Sequence, residues 1–375
     1  MKVGYEAKRA FLNSTGLGNY SRGIIRMMAL DFPNNEYYLY TTEIDPENKL
    51  NFLDGLTEVK TVLPKNKKFA SLWRSKGVVA DLQRDGIELY HGLSHELPIG
   101  ISKRGIKSVV TIHDLIFMRF PQYFGWVSRK IYKAKIKYAC KVADRVIAIS
   151  EKTKADLIEL LKIHPEVIEV VYQGCDERFR VRQSAEQLTE VGAKYKLPLN
   201  YILSVGTIEP RKNLMLLAKA LLFLPKNTHV VIVGKQARYY KQVYAYLVQH
   251  KLDDRVLFID KVTFADLPAI YQGAQLFVYP SRYEGFGIPV LEALVSGVPV
   301  IATTGSCLEE AGGPDSLYVD PDDETDLTEK IRMVLDDKAL QKKMISKGFI
   351  YSRKFEQKKL ASQLMDLYTK VLHNA

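Results

Sequence analysis

The segment SRYEGFGIPVLEALVSGVPVIAT, residues 281–303, packs a Gly-rich loop, a helix and a strand into one short span. Pro289 suits a first helical turn, where its missing N–H costs nothing. Gly297 stops that helix, and the apolar run from Val298 to Ala302 then reads as a short buried strand. QLFVYP, residues 275–280, is the strand that precedes the loop. A turn from strand to helix leaves backbone N–H groups facing the carboxyl end of the sheet, where anions and polar sugars bind. Glu284 stands in that loop and can accept hydrogen bonds from ligand hydroxyls. Glu292 lies inside the helix and can reach another part of the same ligand. The plainer alternative makes Glu292 a partner of the helix dipole and Glu284 a solvated loop charge.

Working outward, similar apolar runs recur on both sides of this unit. YILSVGT (201–207), HVVIVG (229–234), RVLFI (255–259) and PVIAT (299–303) form a C-terminal series. KVGYEA (2–7), EYYLYTT (36–42), VKTVL (59–63), IELYHG (87–92), SVVTIHD (108–114), RVIAIS (145–150) and VIEVVY (167–172) form an N-terminal one. Longer amphipathic segments separate them, a pattern that predicts α/β architecture with parallel sheets wrapped by helices. A length of 375 residues suits two such domains, doubly wound and facing one another. The polar stretch 173–198, with a short helical segment over 185–195, is the expected linker. The expected division is 1–180, 181–355 and a final segment 356–375. That last segment is an amphipathic helix with Leu360, Leu364, Leu367 and Val371 on one side.

Composition narrows the function. The apolar fraction of 47% is that of a globular protein, and no run of about twenty apolar residues spans a membrane. The start, MKVGYEAKRAFLN, reads as a first strand rather than a signal peptide. Cys140, Cys175 and Cys307 are scattered and without His at metal spacing, which points to a reduced cytoplasm without disulfides or zinc. The net charge of +11 is uneven: residues 1–180 carry 29 Lys and Arg against 21 Asp and Glu, the remainder 25 against 22. A basic surface can meet nucleic acid, anionic lipid or an acidic substrate. Zinc-finger spacing, an RNP motif and a helix-turn-helix signature are all missing, so nucleic acid is not the expected partner.

Three more strand ends carry chemistry, since ligands of such sheets sit beyond the carboxyl ends of the strands. After the first strand, FLNSTGLGNYSRG places Gly16 and Gly18 ahead of an expected helix over 20–30. They allow close backbone approach to a phosphate or sugar, although the third Gly of a dinucleotide fingerprint is lacking and an ordinary turn fits equally. After SVVTI come His113, a possible donor to a ligand oxygen, and Asp114, which can hold the ring or cap the next turn. After YILSV come Gly206 and, beyond IEP, Arg211 and Lys212 at the start of the helix NLMLLAKALLFL, a good diphosphate site, with Asn213 as a candidate cap. Two basic stretches fall elsewhere. KNKKFASLWRSK (65–76) interleaves Phe69 and Trp73 with cations. SRKIYKAKIKYACKVA (128–143) is a helix expected to bury Ile131, Ala134, Tyr138, Ala139 and Val142. Both suit either a solvated basic face or contact with an anionic membrane surface.

The chain resembles the retaining nucleotide-sugar glycosyltransferases of family 4, whose fold is the two-domain GT-B arrangement. The resemblance rests on GTIEPRKN (206–213) and on EGFGIPVLEALVSGVPVIAT (284–303), with Glu284 and Glu292 as the family's pair of glutamates. STGLGNYSRG (14–23), TIHD (111–114), VIAISE (146–151) and VYQGCDERF (171–179) support it in family order. It implies that Lys212 and Arg211 neutralise the donor diphosphate and that Glu292 holds the ribose hydroxyls. Glu284 would contact the transferred sugar with the backbone of Gly285, Phe286 and Gly287, and His113 would face that sugar. Gly16 and Gly18 would line the cleft, the base would lie near Lys261, Val262 and Thr263, and the final helix would return to the N-terminal, acceptor-binding domain. Thr207 stands where several relatives carry a further Arg, so charge neutralisation leans on Arg211 and Lys212.

Neither metal nor cofactor is expected, because cations and helix ends can stabilise a leaving diphosphate. The DPD at 320–322 reads as a turn rather than a metal motif. Retention can arise through a covalent intermediate on Glu284 or by same-face attack, and the latter is favoured because the Glu284 loop suits hydroxyl binding. The expected donor is GDP-mannose, with a UDP-sugar as rival, and the expected acceptor a glycan or lipid-linked glycan of bacterial-type cell-surface polysaccharide synthesis. The expected location is cytoplasmic, peripheral on the inner face of the membrane. A catalytically silent sugar-nucleotide-binding subunit is the alternative from another class; a phosphorylase is disfavoured for want of a pyridoxal-phosphate lysine motif.

Overall fold

The computed structural model describes residues 1–44 and 50–373. The chain divides into two compact units, Met1–Gln173 with Glu356–Ala375, and Gly174–Phe355.

The first unit holds seven strands: β1 Lys2–Glu6, β2 Glu36–Tyr40, β3 Val59–Val62, β4 Leu89–Gly92, β5 Lys107–Ile112, β6 Arg145–Ala148 and β7 Ile168–Val170. They pair in the order β3-β2-β1-β4-β5-β6-β7, every pairing parallel. Side chains alternate across the sheet as the pleat requires. Val3, Tyr5, Tyr37, Leu39, Val109 and Ile147 pack on one face with Ile24, Ile25 and Met28 of the helix Gly16–Asp31. Tyr38, Tyr40, Tyr90, Val110, Ile112, Val146 and Ala148 pack on the other, against Val78–Arg84, Trp126–Val142 and Glu151–Leu161.

The C-terminal helix, Gln357–His373, lies on the first of these faces and buries Leu360, Leu364, Leu367 and Val371 as its periodicity predicts. Tyr368 adds an anchor. Its hydroxyl lies 2.6 Å from Nδ1 of the buried His91, whose Nε2 is 2.8 Å from the Thr111 hydroxyl.

The second unit holds β8 Ile202–Val205, β9 Val230–Val233, β10 Val256–Ile259, β11 Leu276–Tyr279, β12 Val300–Thr303 and β13 Leu317–Val319. They pair in parallel in the order β10-β9-β8-β11-β12-β13. Ile202, Val230, Ile232, Leu276, Val278 and Ile301 meet Leu217, Leu221, Val243, Leu247, Leu327 and Ile331 in one core. Both units are therefore Rossmann-like, and in each the strand order reverses once, between β1 and β4 and between β8 and β11. Ligands of doubly wound sheets bind at such a reversal, beyond the carboxyl ends.

Several local expectations shift. The glycine-loop helix starts at Gly16 rather than near Tyr20, so both glycines lie in its first turn. Gly18 is needed there for space: a Cβ would sit 1.7 Å from the carbonyl oxygen of Asn13. The helix Trp126–Val142 buries Ala139 as predicted, but with Ile136 and Cys140 rather than the other expected residues, leaving Ile131 and Ala134 exposed. Asn213 stands at the N-cap of Leu214–Phe223 but in the left-handed region, φ 54°, and caps nothing with its side chain. Its amide donates instead to the carbonyl of Pro321, 2.7 Å away. The helix Ala185–Tyr195 forms over the expected residues; within the second unit Lys194 and the Tyr195 hydroxyl both reach Asp266 at 2.7 Å.

Candidate active site

The loops after β8 and β11 meet at the reversal of the second sheet. After β8, Gly206 adopts φ 150°, and the Lys212 stem lies beside it. A short turn over Pro210–Lys212 then presents both cations. After β11, Pro280 ends the strand and residues 281–287 form the loop, with Gly287 at φ 113° as the N-cap of Ile288–Val295. That conformation disfavours any side chain, and a Cβ on Gly287 would also meet Leu308 at 2.7 Å. Pro289 occupies the first turn and Gly297, at φ 76°, follows the last, as the sequence predicts.

Four side chains converge on one oxygen, Oε1 of Glu284. Lys212 Nζ lies at 2.6 Å, Arg211 Nη1 at 2.7 Å, the Ser281 hydroxyl at 2.5 Å and the Tyr279 hydroxyl at 3.2 Å. Lys212 also donates to the Tyr279 hydroxyl at 2.5 Å. Arg211 is further fixed by the Tyr283 carbonyl and by Glu209, both at 2.6 Å. Two more ties hold the loop: the Arg282 N–H donates to the Arg211 carbonyl at 2.9 Å, and the Cys307 thiol donates to the carbonyls of Glu284 and Phe286 at 3.0 and 2.9 Å. The buried Phe286 ring packs edge-on against Phe355.

Burial alone would raise the Glu284 pKa, yet Lys212 and Arg211 outweigh it and hold the carboxyl down at about 2. Burial also opposes the Arg211 charge, but Glu284 and Glu209 raise its pKa overall. For Lys212, burial lowers the ammonium, with Arg211 adding to the effect and Glu284 resisting it. The cluster therefore sets two cations, Arg211 and Lys212, against two carboxylates, Glu284 and Glu209, at the carboxyl end of the sheet.

Glu292 lies elsewhere on the following helix. It is buried, its Oε2 accepts from the Tyr271 hydroxyl at 2.8 Å, and burial pushes its pKa up to about 7, with Asp176 adding to the rise. Val262 lies on the loop after the edge strand β10, next in sequence to Thr263, whose hydroxyl donates to Asp266 at 2.7 Å. Asp320–Asp322 is a turn, with the Asp322 N–H donating to the Asp320 side chain at 2.8 Å. Among the described residues no group of three or more His, Cys, Asp or Glu is placed to hold a metal.

His113, Gly16 and Gly18 belong to the first unit, where Tyr20 links them. The Tyr20 ring, on the helix that the glycines open, packs edge-on against the His113 ring at 4.6 Å. His113 Nε2 lies 2.9 Å from the Leu93 carbonyl and its Nδ1 3.2 Å from the Gln173 amide. Burial and the neighbouring His95 push its pKa down to about 3, so the ring is neutral. Asp114 caps the next turn by accepting from the Ile116 N–H at 3.0 Å.

Sequence reasoning missed Tyr279, Ser281, Tyr271, Gln173 and Cys307. Tyr279 and Ser281 had a signal, since both flank the end of β11 beside Glu284. Tyr271, Gln173 and Cys307 come from other elements and are brought in by the fold alone.

A model described as Glycosyl transferases group 1 matches residues 192–350, and one described as Glycosyltransferase Family 4 matches residues 29–179. The O-antigen chain mannosyltransferase B of Escherichia coli is 25% identical over 98% of this chain and 99% of its own length. The serotype-specific mannosyltransferase WbdA of Escherichia coli is 30% identical over 77% of this chain, a match that spans only 37% of WbdA. Among solved structures, a glycosyltransferase from Rickettsia africae ESF-5 superposes with a TM-score of 0.79 at 17% identity, covering 100% of this chain and 99% of that one. Two Rossmann-like units, the paired family matches and the full-length relative agree: the chain carries glycosyltransferase domains of the group 1 and family 4 type on a GT-B fold.

Proposed function

We propose that this protein transfers a hexose, mannose in preference, from a nucleotide diphosphate sugar to a glycan or lipid-linked acceptor in bacterial-type cell-surface polysaccharide synthesis. The observation that carries the reading is the convergence of Arg211 and Lys212 over Glu284 at the β8–β11 reversal. Mannose is favoured because the full-length relative is an O-antigen chain mannosyltransferase. In this reading the donor diphosphate takes the Arg211 and Lys212 charges, and Glu284 holds hydroxyls of the transferred sugar. Glu292 receives the ribose, and Gly285 to Gly287 close over the sugar.

Retention of configuration is proposed to arise by same-face attack, and the state of Glu284 argues against the covalent alternative. A carboxylate whose oxygen already accepts from two cations and two hydroxyls is a weak nucleophile. The acceptor oxygen instead forms the new bond to the anomeric carbon as the bond to phosphate breaks. The leaving phosphate oxygen takes the acceptor proton, and the nucleoside diphosphate departs. Two fixed cations supply the charge stabilisation that a metal would otherwise give, so transfer is proposed to proceed without metal.

The first unit also presents a face suited to an anionic membrane on the cytoplasmic side. Phe69, Leu72, Trp126, Val127 and Ile131 are exposed among Lys65, Lys67, Lys68, Lys130 and Lys133. Among the described residues no helix is long and apolar enough to cross a membrane, so the contact is peripheral.

Melting the protein with GDP, UDP and ADP tests the donor, because a ligand of the folded state raises the melting temperature. GDP at a hundredfold its Kd stabilises by about 2.7 kcal/mol. A larger shift with UDP reassigns the donor base, and no shift with any nucleotide removes the assignment.

A further inference from the structure

The polar stretch 173–198 reads in the sequence as a linker, but between 181 and 195 it grips one short helix of the second unit, Leu267–Gln272, at both ends. At the start of that helix, Asp266 Oδ2 accepts from Lys194 Nζ, the Tyr195 hydroxyl and the Thr263 hydroxyl, each at 2.7 Å. The Tyr195 hydroxyl in turn accepts from the Thr263 N–H at 3.2 Å. At the other end, the Gln272 side-chain amide donates to the Val181 carbonyl at 2.8 Å and accepts from the Gln183 N–H at 3.0 Å.

What this strap holds is Tyr271. The residue is fully buried near the end of the helix, and its hydroxyl donates to Glu292 Oε2 at 2.8 Å. Its ring packs edge-on against Phe179 at 5.5 Å, and Phe179 meets Phe264 edge-on at 6.0 Å. The Phe179 carbonyl accepts from the Ser296 hydroxyl, at the end of the Glu292 helix, at 3.4 Å. The segment leading into the strap thus touches both the helix that carries Tyr271 and the helix that carries Glu292. A buried carboxyl keeps a defined direction when a neighbour fixes one of its oxygens, and that neighbour is only as steady as the element carrying it.

We propose that Tyr271 is a positioning residue that aims Glu292 at the donor ribose, and that the strap 181–195 holds Tyr271 in place. The proposal rests on the donor reading above, in which Glu292 receives the ribose. It makes the preference for a nucleotide with ribose hydroxyls depend on residues that touch no ligand.

Calorimetric titration of the full chain with GDP and with 2′,3′-dideoxy-GDP tests this at pH 8, where Glu292, with a pKa of about 7, is mostly ionised. If the melting series assigns uracil, UDP and its dideoxy form take their place. Wild type is expected to bind the ribose form about tenfold more tightly, the worth of a hydrogen bond to a charged group. Three variants are compared: Tyr271→Phe, Lys194→Met with Tyr195→Phe, and Gln272→Met. Each is expected to shrink that preference about threefold or more, because hydrogen bonds weaken steeply off their best geometry, and to leave the dideoxy affinity unchanged. A merely structural role would lower both affinities alike. Any one variant that retains the wild-type far-UV circular dichroism suffices. An undiminished preference in a folded variant, or equal losses for both ligands, overturns the proposal and leaves the donor reading standing. Wild type that binds neither ligand, or both equally, removes the donor reading at Glu292 and the proposal with it.

Discussion

At the scale of single residues, the two glutamates of the 281–303 segment have opposite electrostatic characters. Glu284 is ionised throughout the working range because two cations face it. Glu292 has only the Tyr271 hydroxyl to offset burial, and its pKa of about 7 exceeds the ordinary 4.5. The folded state thus binds the Glu292 proton more tightly than the unfolded chain does. That contribution to stability is complete below pH 4.5 and is lost as the pH rises through 7. Glu292→Gln keeps an acceptor for Tyr271 and cannot ionise. Relative to wild type, the variant is expected to gain about 3 kcal/mol of unfolding free energy between pH 4 and pH 8, from the shift at about 1.4 kcal/mol per unit. Urea titrations without ligand at the two pH values check this; a difference that does not change with pH contradicts the assigned cause.

At the scale of elements, the loop geometry depends on a few backbone positions. Gly287 has both a left-handed φ and a tight approach to Leu308, so Gly287→Ala is expected to destabilise the second unit by roughly 1–3 kcal/mol. Its urea midpoint, measured against wild type, reads the effect, and an unchanged midpoint contradicts it. Pro289, Gly297 and the alternation of the strands were legible because their signals are local: a fixed φ, a left-handed cap, a pleat. The Arg211–Lys212–Glu284 grouping was legible through a known pattern. What could not be read depends on tertiary context. Tyr271 and Cys307 reach the site from other elements. Asn213 has the residue type of a cap but a backbone that turns it toward Pro321. In the helix Trp126–Val142 apolar residues occur all round, so periodicity could not tell the buried Ile136 side from the exposed Ile131 side.

At the scale of the whole molecule, the net charge of +11 falls mostly on the first 180 residues, and its aromatic and aliphatic companions there are exposed. Anionic vesicles should therefore co-sediment the protein at low salt and release it at high salt, since surface attraction falls off within a Debye length. Removing Trp126 and Ile131 together, as Trp126→Ser and Ile131→Ser, should weaken the association several-fold by taking away apolar insertion. Equal binding to neutral and anionic vesicles contradicts the electrostatic part of this account. The central claim is transfer chemistry at the β8–β11 reversal, and release of GDP from GDP-mannose measures it most directly. Wild type, pretreated with EDTA, is expected to release GDP slowly alone and faster with a mannose-ended acceptor. Lys212→Ala is expected to lose at least about a hundredfold of that rate, the usual cost of deleting one preorganised donor to developing charge. No GDP release from wild type, or a Lys212→Ala enzyme as fast as wild type, would contradict the account.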